Sequence, residues 1–238
     1  MLDLIADVTR SGTRLTAALD ALTDAEVGAP STLPGWTRGQ VVTHLVHGVD
    51  AYLWLLATAR TGAEPGPRTD AAVLARELQD GAARPAGELA ADLRTRLARL
   101  ADVCASMPAD RWDTLVTALA GWRHPAWYVL HRCRRELETH HVDLDIGYRS
   151  TDWPGTYVTW ALDDTLAALA ARDFPLSRVE APDLGRSWTL APTGATLSGP
   201  GHAVLGWLSG RATDAPLTAD RPLSTPPSWP LPPAPGWS

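Results

Sequence analysis

The chain has 238 residues, 45% of them hydrophobic and 20% charged, with a formal net charge of −6, enough for one large or two small domains with a real core. The acidic balance argues against nucleic acid or an anionic membrane surface as the main partner. No apolar run reaches the roughly 18 residues of a membrane span, and Met1-Leu2-Asp3 lacks the basic and apolar regions of a signal peptide.

The first two-thirds of the chain has helical periodicity. Leu2, Ile5, Val8, Leu15, Ala18 and Leu22 recur at helix spacing. Pro34-Gly35 marks a turn, and Thr37 is placed to cap a helix running to about Arg60. A Gly/Pro-rich loop follows Thr61. Two helices are then expected, from Asp70 to about Ala83 and from Pro85 to Ser106, with Pro85 suited to a first turn. Met107 to His124 is a looser stretch. Another long helix is expected from Ala126 to about Ile146, closed by Gly147, and a further one from Pro154 to Arg172. After Pro175 the texture changes. Residues 186–191 and 195–199 alternate like short strands around a Pro192/Gly194 turn, and His202 to Leu208 form a short apolar helix. The proline-rich tail from Pro222 to Ser238 is expected to be extended. This pattern predicts a helical domain over residues 1–173 and a small α+β domain over 174–238.

The chemistry concentrates in Glu136-Leu137-Glu138-Thr139-His140-His141-Val142-Asp143. Glu136, His140 and Asp143 stand at i, i+4 and i+7, on one helix face that also carries Val129, Cys133 and Leu144. A carboxylate and an imidazole one turn apart can hold a divalent metal; an ordinary solvated helix pair has the same spacing. A third ligand would come from another helix, where His44 lies in an apolar run expected to be buried and His47 precedes Gly48. A metal would satisfy a buried His44, and so would a hydrogen bond to a carbonyl. Cys104 and Cys133 make no disulfide framework, which suits a reducing cytoplasm, and both are expected to act as small buried hydrophobes. Lysine is absent, so Schiff-base and P-loop chemistry are excluded and arginine is the permanent cation.

Leu33-Pro34-Gly35-Trp36-Thr37-Arg38-Gly39-Gln40-Val41-Val42-Thr43-His44, Arg135-Glu136-Leu137-Glu138-Thr139-His140-His141-Val142-Asp143-Leu144 and the Tyr148–Pro154 block together resemble the mycothiol-dependent maleylpyruvate isomerase family, within the DinB-like metalloprotein superfamily. The likeness extends to Trp207-Leu208-Ser209-Gly210-Arg211. Gln40 stands where many relatives have a histidine that is not a ligand. The resemblance implies a mainly α fold, a DinB-like four-helix bundle with a small C-terminal α+β domain. It also implies His44, Glu136 and His140 as ligands of Zn2+ or another divalent metal, with Arg211 as the catalytic arginine and Arg221 as the other candidate.

The implied activity is conversion of maleylpyruvate to fumarylpyruvate by thiolate addition, bond rotation and elimination, with mycothiol as cofactor. A mycothiol S-transferase acting on electrophiles and a noncatalytic metal-binding module are the alternatives. The expected partners are a small-molecule substrate and a low-molecular-weight thiol, with no nucleic acid and no membrane, in a cytoplasmic monomer or small homo-oligomer. Asp143 is expected to orient a ligand histidine or to stand on the helix surface. Trp36, Trp122 and Trp127 are candidates to line a pocket, and His141 is expected to be exposed. His124, His131 and His202 show no partner in the sequence.

Overall fold

The computed structural model describes residues 1–211, 216–234 and 236. The chain divides into two compact units, Met1–Gly147 and Tyr148–Gly236. The first is built on α1 (Leu2–Leu19), the short α2 (Asp24–Val27), α3 (Arg38–Thr61), α4 (Ala71–Asp80), α5 (Ala86–Ala105) and, after a hairpin, α6 (Tyr128–Asp143). Helices α1 and α3 each pack against both α5 and α6, which closes the expected four-helix bundle. Leu15, Val41, Leu56, Leu93, Val129 and Leu137 lie in its core at 1% exposure or less. Each such leucine contributes about 1.5–3 kcal/mol by its removal from water.

Helix α3 begins at Thr37, whose hydroxyl accepts from the Gln40 amide while the Gln40 side chain accepts from the Thr37 amide. This capping box satisfies donors that the first turn leaves free, and it gives Gln40 a structural role. Gly39 approaches the carbonyl of Gly81 too closely for a Cβ, so α3 seats tightly on the turn after α4. With 24 residues, α3 has the length and apolar composition of a membrane span, contrary to the expectation that no segment reaches one. It packs here as a core helix against α5 and α6.

The stretch after Met107 contains an element the periodicity did not predict. Strands β1 (Leu115–Thr117) and β2 (Arg123–Pro125) pair antiparallel, with Val116 opposite His124. Three-residue strands are too short to show alternation. Helix α6 ends at Asp143 rather than near Ile146, and Asp145 and Gly147 follow with φ of 52° and 96°. Arg38 explains the early end. Its guanidinium donates to the carbonyls of Leu144 at 2.5 Å and Asp145 at 3.1 Å, capping α6 from the start of α3.

The second unit contains α7 (Gly155–Ala170), β3 (Leu176–Ala181), β4 (Arg186–Thr189), β5 (Ala195–Ser198), α8 (Gly201–Ser209) and β6 (Thr218–Ala219). Because α7 packs against α8, this unit begins at Tyr148, whereas the change in texture suggested a division after residue 173. The sheet runs β4-β3-β5-β6, with β3 parallel to β5 and antiparallel to β4. The two strands expected around Pro192/Gly194 are present, but β3 lies between them. In the expected extended tail, the described residues from Pro222 onward form no helix or strand, and residues 235, 237 and 238 lie outside the described set.

Candidate metal centre

The clamp between the start of α3 and the end of α6 brings His44 to Glu136 and His140. One donor atom from each of the three lies within 4.8 Å of the others. The Nε2 atoms of His44 and His140 both stand 3.2 Å from Oε2 of Glu136, and the two imidazole rings are nearly perpendicular with centroids 4.8 Å apart. The one-turn spacing of Glu136 and His140 supplies half of this arrangement. The other half comes from the packing of α3 on α6.

Asp143 lies behind His140. Its Oδ2 is 2.8 Å from His140 Nδ1, which assigns the proton to Nδ1 and leaves Nε2 directed at Glu136. Asp143 is itself held by Thr32, whose amide donates to the Asp143 carbonyl at 2.9 Å and whose hydroxyl lies 3.3 Å from Oδ1. Asp143 is 1% exposed, so of its two sequence readings the supporting one is observed.

The electrostatics fit a cation. Burial pushes the Glu136 carboxyl up, but hydrogen bonds from His140 and His44 and their charge outweigh it and hold it well below the usual carboxylate range. Burial pushes His140 down, while Asp143 and Glu136 raise it to about 9. A divalent ion would supply the positive charge that this ionised carboxylate favours. The donor set, two imidazoles and a carboxylate with an aspartate behind one imidazole, suits zinc and keeps a coordination position for a further ligand. The His44 side chain is 40% exposed rather than buried as its apolar neighbours suggested, so the centre is reachable from solvent. Trp36 meets the His44 ring edge-on at 5.7 Å.

Other expectations resolve differently. His141 is 4% exposed, not surface-exposed, because α6 packs against both α1 and α3 and buries more than one face. Trp122 and Trp127 pack around Tyr128, with His124 beside Trp122 and His131 beside Trp127. His47 pairs with Glu77 at 3.0 Å. Cys104 and Cys133 are buried, and burial pushes the Cys104 thiol up to about 12 and the Cys133 thiol higher still. Neither is a nucleophile near neutral pH.

Arg211 belongs to the second unit, just past α8. Its guanidinium donates to the Ser209 carbonyl at 2.6 Å and lies 5.8 Å from the Trp229 ring. Arg221 is an exposed neighbour of Asp220 at 3.5 Å. Tyr52 and Arg132 carry no distinguishing signal in the sequence. Arg132 precedes Glu136 by one turn, a spacing visible in the sequence, but the run His131-Arg132-Cys133-Arg134-Arg135 offers three arginines and no means of choosing among them.

The family model described as the mycothiol maleylpyruvate isomerase N-terminal domain matches residues 8–145. A crystal structure of the mycothiol-dependent maleylpyruvate isomerase shares the fold with a TM-score of 0.80 and 23% identity, covering 95% of this chain and 96% of that one. A histidine-to-alanine mutant of such an isomerase matches with the same values. No curated protein matches the chain.

Proposed function

Starting from a chain that belongs to the mycothiol maleylpyruvate isomerase family, we propose that it is a mycothiol-dependent, zinc-dependent cis-trans isomerase converting maleylpyruvate to fumarylpyruvate. The observation that carries this reading is the convergence of His44, Glu136 and His140 within 4.8 Å at a solvent-reachable point. Zn2+ or another divalent metal held there would supply a Lewis acid able to keep the cofactor thiol as a thiolate near neutral pH.

The chain's own residues have distinct tasks. Glu136 offers a carboxylate that its neighbours keep ionised. Asp143 keeps the His140 proton on Nδ1 and so keeps Nε2 available. The buried Cys104 and Cys133 supply no competing thiolate, which is consistent with a nucleophile borrowed from a small molecule. Arg211 is the arginine we assign to the substrate, whose carboxylate its planar guanidinium can take in two parallel hydrogen bonds. Arg221 is the other candidate. We further propose a cytoplasmic monomer or small homo-oligomer with no nucleic-acid or membrane partner.

The test is direct. Purified protein should carry about one equivalent of divalent metal. It should consume maleylpyruvate, followed by absorbance, only when mycothiol is added. Metal-bound protein that instead joins mycothiol stably to electrophiles would be an S-transferase. Metal binding with no thiol chemistry would leave a noncatalytic module.

A further inference from the structure

A chamber of about 480 Å³ lies in the first unit. His44, Glu136 and His140 are not in its lining, but two helices connect it to them. Thr43 and Tyr52 of α3 line it, Thr43 being the neighbour of His44, and so does Arg132 of α6, one turn before Glu136. Residues four apart on a helix place their Cβ atoms about 5–6 Å from each other. The Arg132 side chain therefore starts beside that of Glu136.

Most charges in the chamber wall are already neutralised. Arg84 pairs with Asp92 at 2.8 Å, Arg96 with Asp50 at 2.9 Å, and His47 with Glu77 at 3.0 Å. Asp80 is solvent-exposed. Arg68 donates to the Thr117 carbonyl at 2.5 Å and covers the Trp54 ring at 4.2 Å. Arg68 and Arg132 have no carboxylate partner among the described residues, and of the two only Arg132 stands one turn from Glu136, half-buried and held in place by three groups.

Those groups determine its orientation. His124 is fully buried, and its Nδ1 lies 2.8 Å from the Pro125 carbonyl, so Nδ1 carries the proton and Nε2 accepts. Arg132 donates to that Nε2 at 3.2 Å. The guanidinium carbon lies 4.7 Å from the Trp122 ring and 5.2 Å from the Tyr52 ring. A neutral imidazole and two aromatic faces position the cation without cancelling its charge. Most of its five N–H donors stay available for a planar anion.

We infer that Arg132 is a substrate-carboxylate site, at which its guanidinium fork receives a carboxylate of the dicarboxylate electrophile that reacts at the adjacent His44–Glu136–His140 centre. Assigning that carboxylate to a substrate rests on the isomerase reading. The anion site itself does not.

The test uses metal-loaded full-length protein and maleate as the probe, titrated by calorimetry, beside kinetics with maleylpyruvate and mycothiol. Arg132→Gln should weaken maleate binding at least 10-fold. It should raise KM for maleylpyruvate by a similar factor, with kcat, KM for mycothiol and metal content changed less than about 3-fold. Arg132→Lys keeps the charge and loses the fork, and should fall between Gln and wild type. Arg94→Gln, an exposed arginine of α5 outside the chamber, should behave as wild type. Maleate binding within 2-fold of wild type in Arg132→Gln overturns the assignment, as does a wild type that binds no maleate. If Arg132→Gln does not fold, wild-type affinity in Arg132→Lys overturns the fork. Arg132-dependent maleate binding without thiol-dependent turnover would keep the carboxylate site and reject the isomerase.

Discussion

Glu136 and Glu138 stand two residues apart on α6 and face different surroundings. Glu138 is 1% exposed and accepts from Arg14 of α1 at 2.6 Å, with the Ser11 hydroxyl on the same oxygen. Nearby, Arg134 of α6 meets Asp7 of α1 at 2.7 Å. Among the described residues, Glu136 meets only imidazoles at comparable range. A guanidinium stays protonated at any working pH, so Glu138 is paired with a cation that cannot leave. An imidazole can give up its proton, so the cation beside Glu136 can be exchanged. The same side chain on one helix serves as a structural tie in one place and as a replaceable coordination site in the other.

The sharpest way to break this contrast is to remove each carboxylate. Glu136→Gln should cost metal affinity well beyond the roughly 10–100-fold that a supporting residue is worth, with a thermal midpoint close to wild type. Glu138→Ala should do the reverse. It removes the buried carboxylate to which Arg14 and Ser11 donate, so chemical denaturation should show a loss of about 3 kcal/mol, while metal analysis still finds about one equivalent. A Glu138→Ala protein that lost metal but kept its stability would invert the two roles.

Asp143→Asn sharpens the comparison on the metal side. The amide keeps the shape of the carboxylate but weakens its hold on His140 Nδ1. Metal affinity, measured by competition with a chelator, should fall about 10–100-fold.

His124 is the other imidazole with a defined proton. Burial, with Arg132 and Arg135 nearby, outweighs its hydrogen bond to Pro125 and lowers it to about 4. The unfolded chain protonates near the ordinary value of about 6.5. The unfolded state therefore binds more protons between those values, and stability must fall as pH drops from about 6.5 to about 4. The loss is on the order of 3 kcal/mol at the acid end. In His124→Gln the slope of unfolding free energy against pH over that window should diminish by about one proton.

Regions governed by local rules were the most legible in the sequence. Thr37 and Gln40 mark the start of α3 because a capping box needs only residues three apart. Glu136 and His140 could be read as a pair because one turn separates them. Burial was harder to read. His141 was expected outside and is inside, whereas His44 was expected inside and is 40% exposed. In both cases the neighbouring helices, not the residue's own face, determine how much water reaches it. The β1–β2 hairpin was missed because its strands are three residues long. The order of the second sheet was missed because parallel pairing of β3 with β5 leaves no turn between them to mark it.

The sequence alone determined that the protein is mainly helical and acidic, without lysine. It also contains a carboxylate–imidazole pair at metal-binding spacing. Only the tertiary structure decided that His44 joins that pair, that the change of unit comes at Gly147, and that Arg132, among three closely spaced arginines, faces a chamber with no carboxylate partner among the described residues. The physical reason is range. Capping and one-turn spacing act within a few residues, whereas the metal centre and its neighbouring cation depend on two helices 92 positions apart meeting at a 3.2 Å contact.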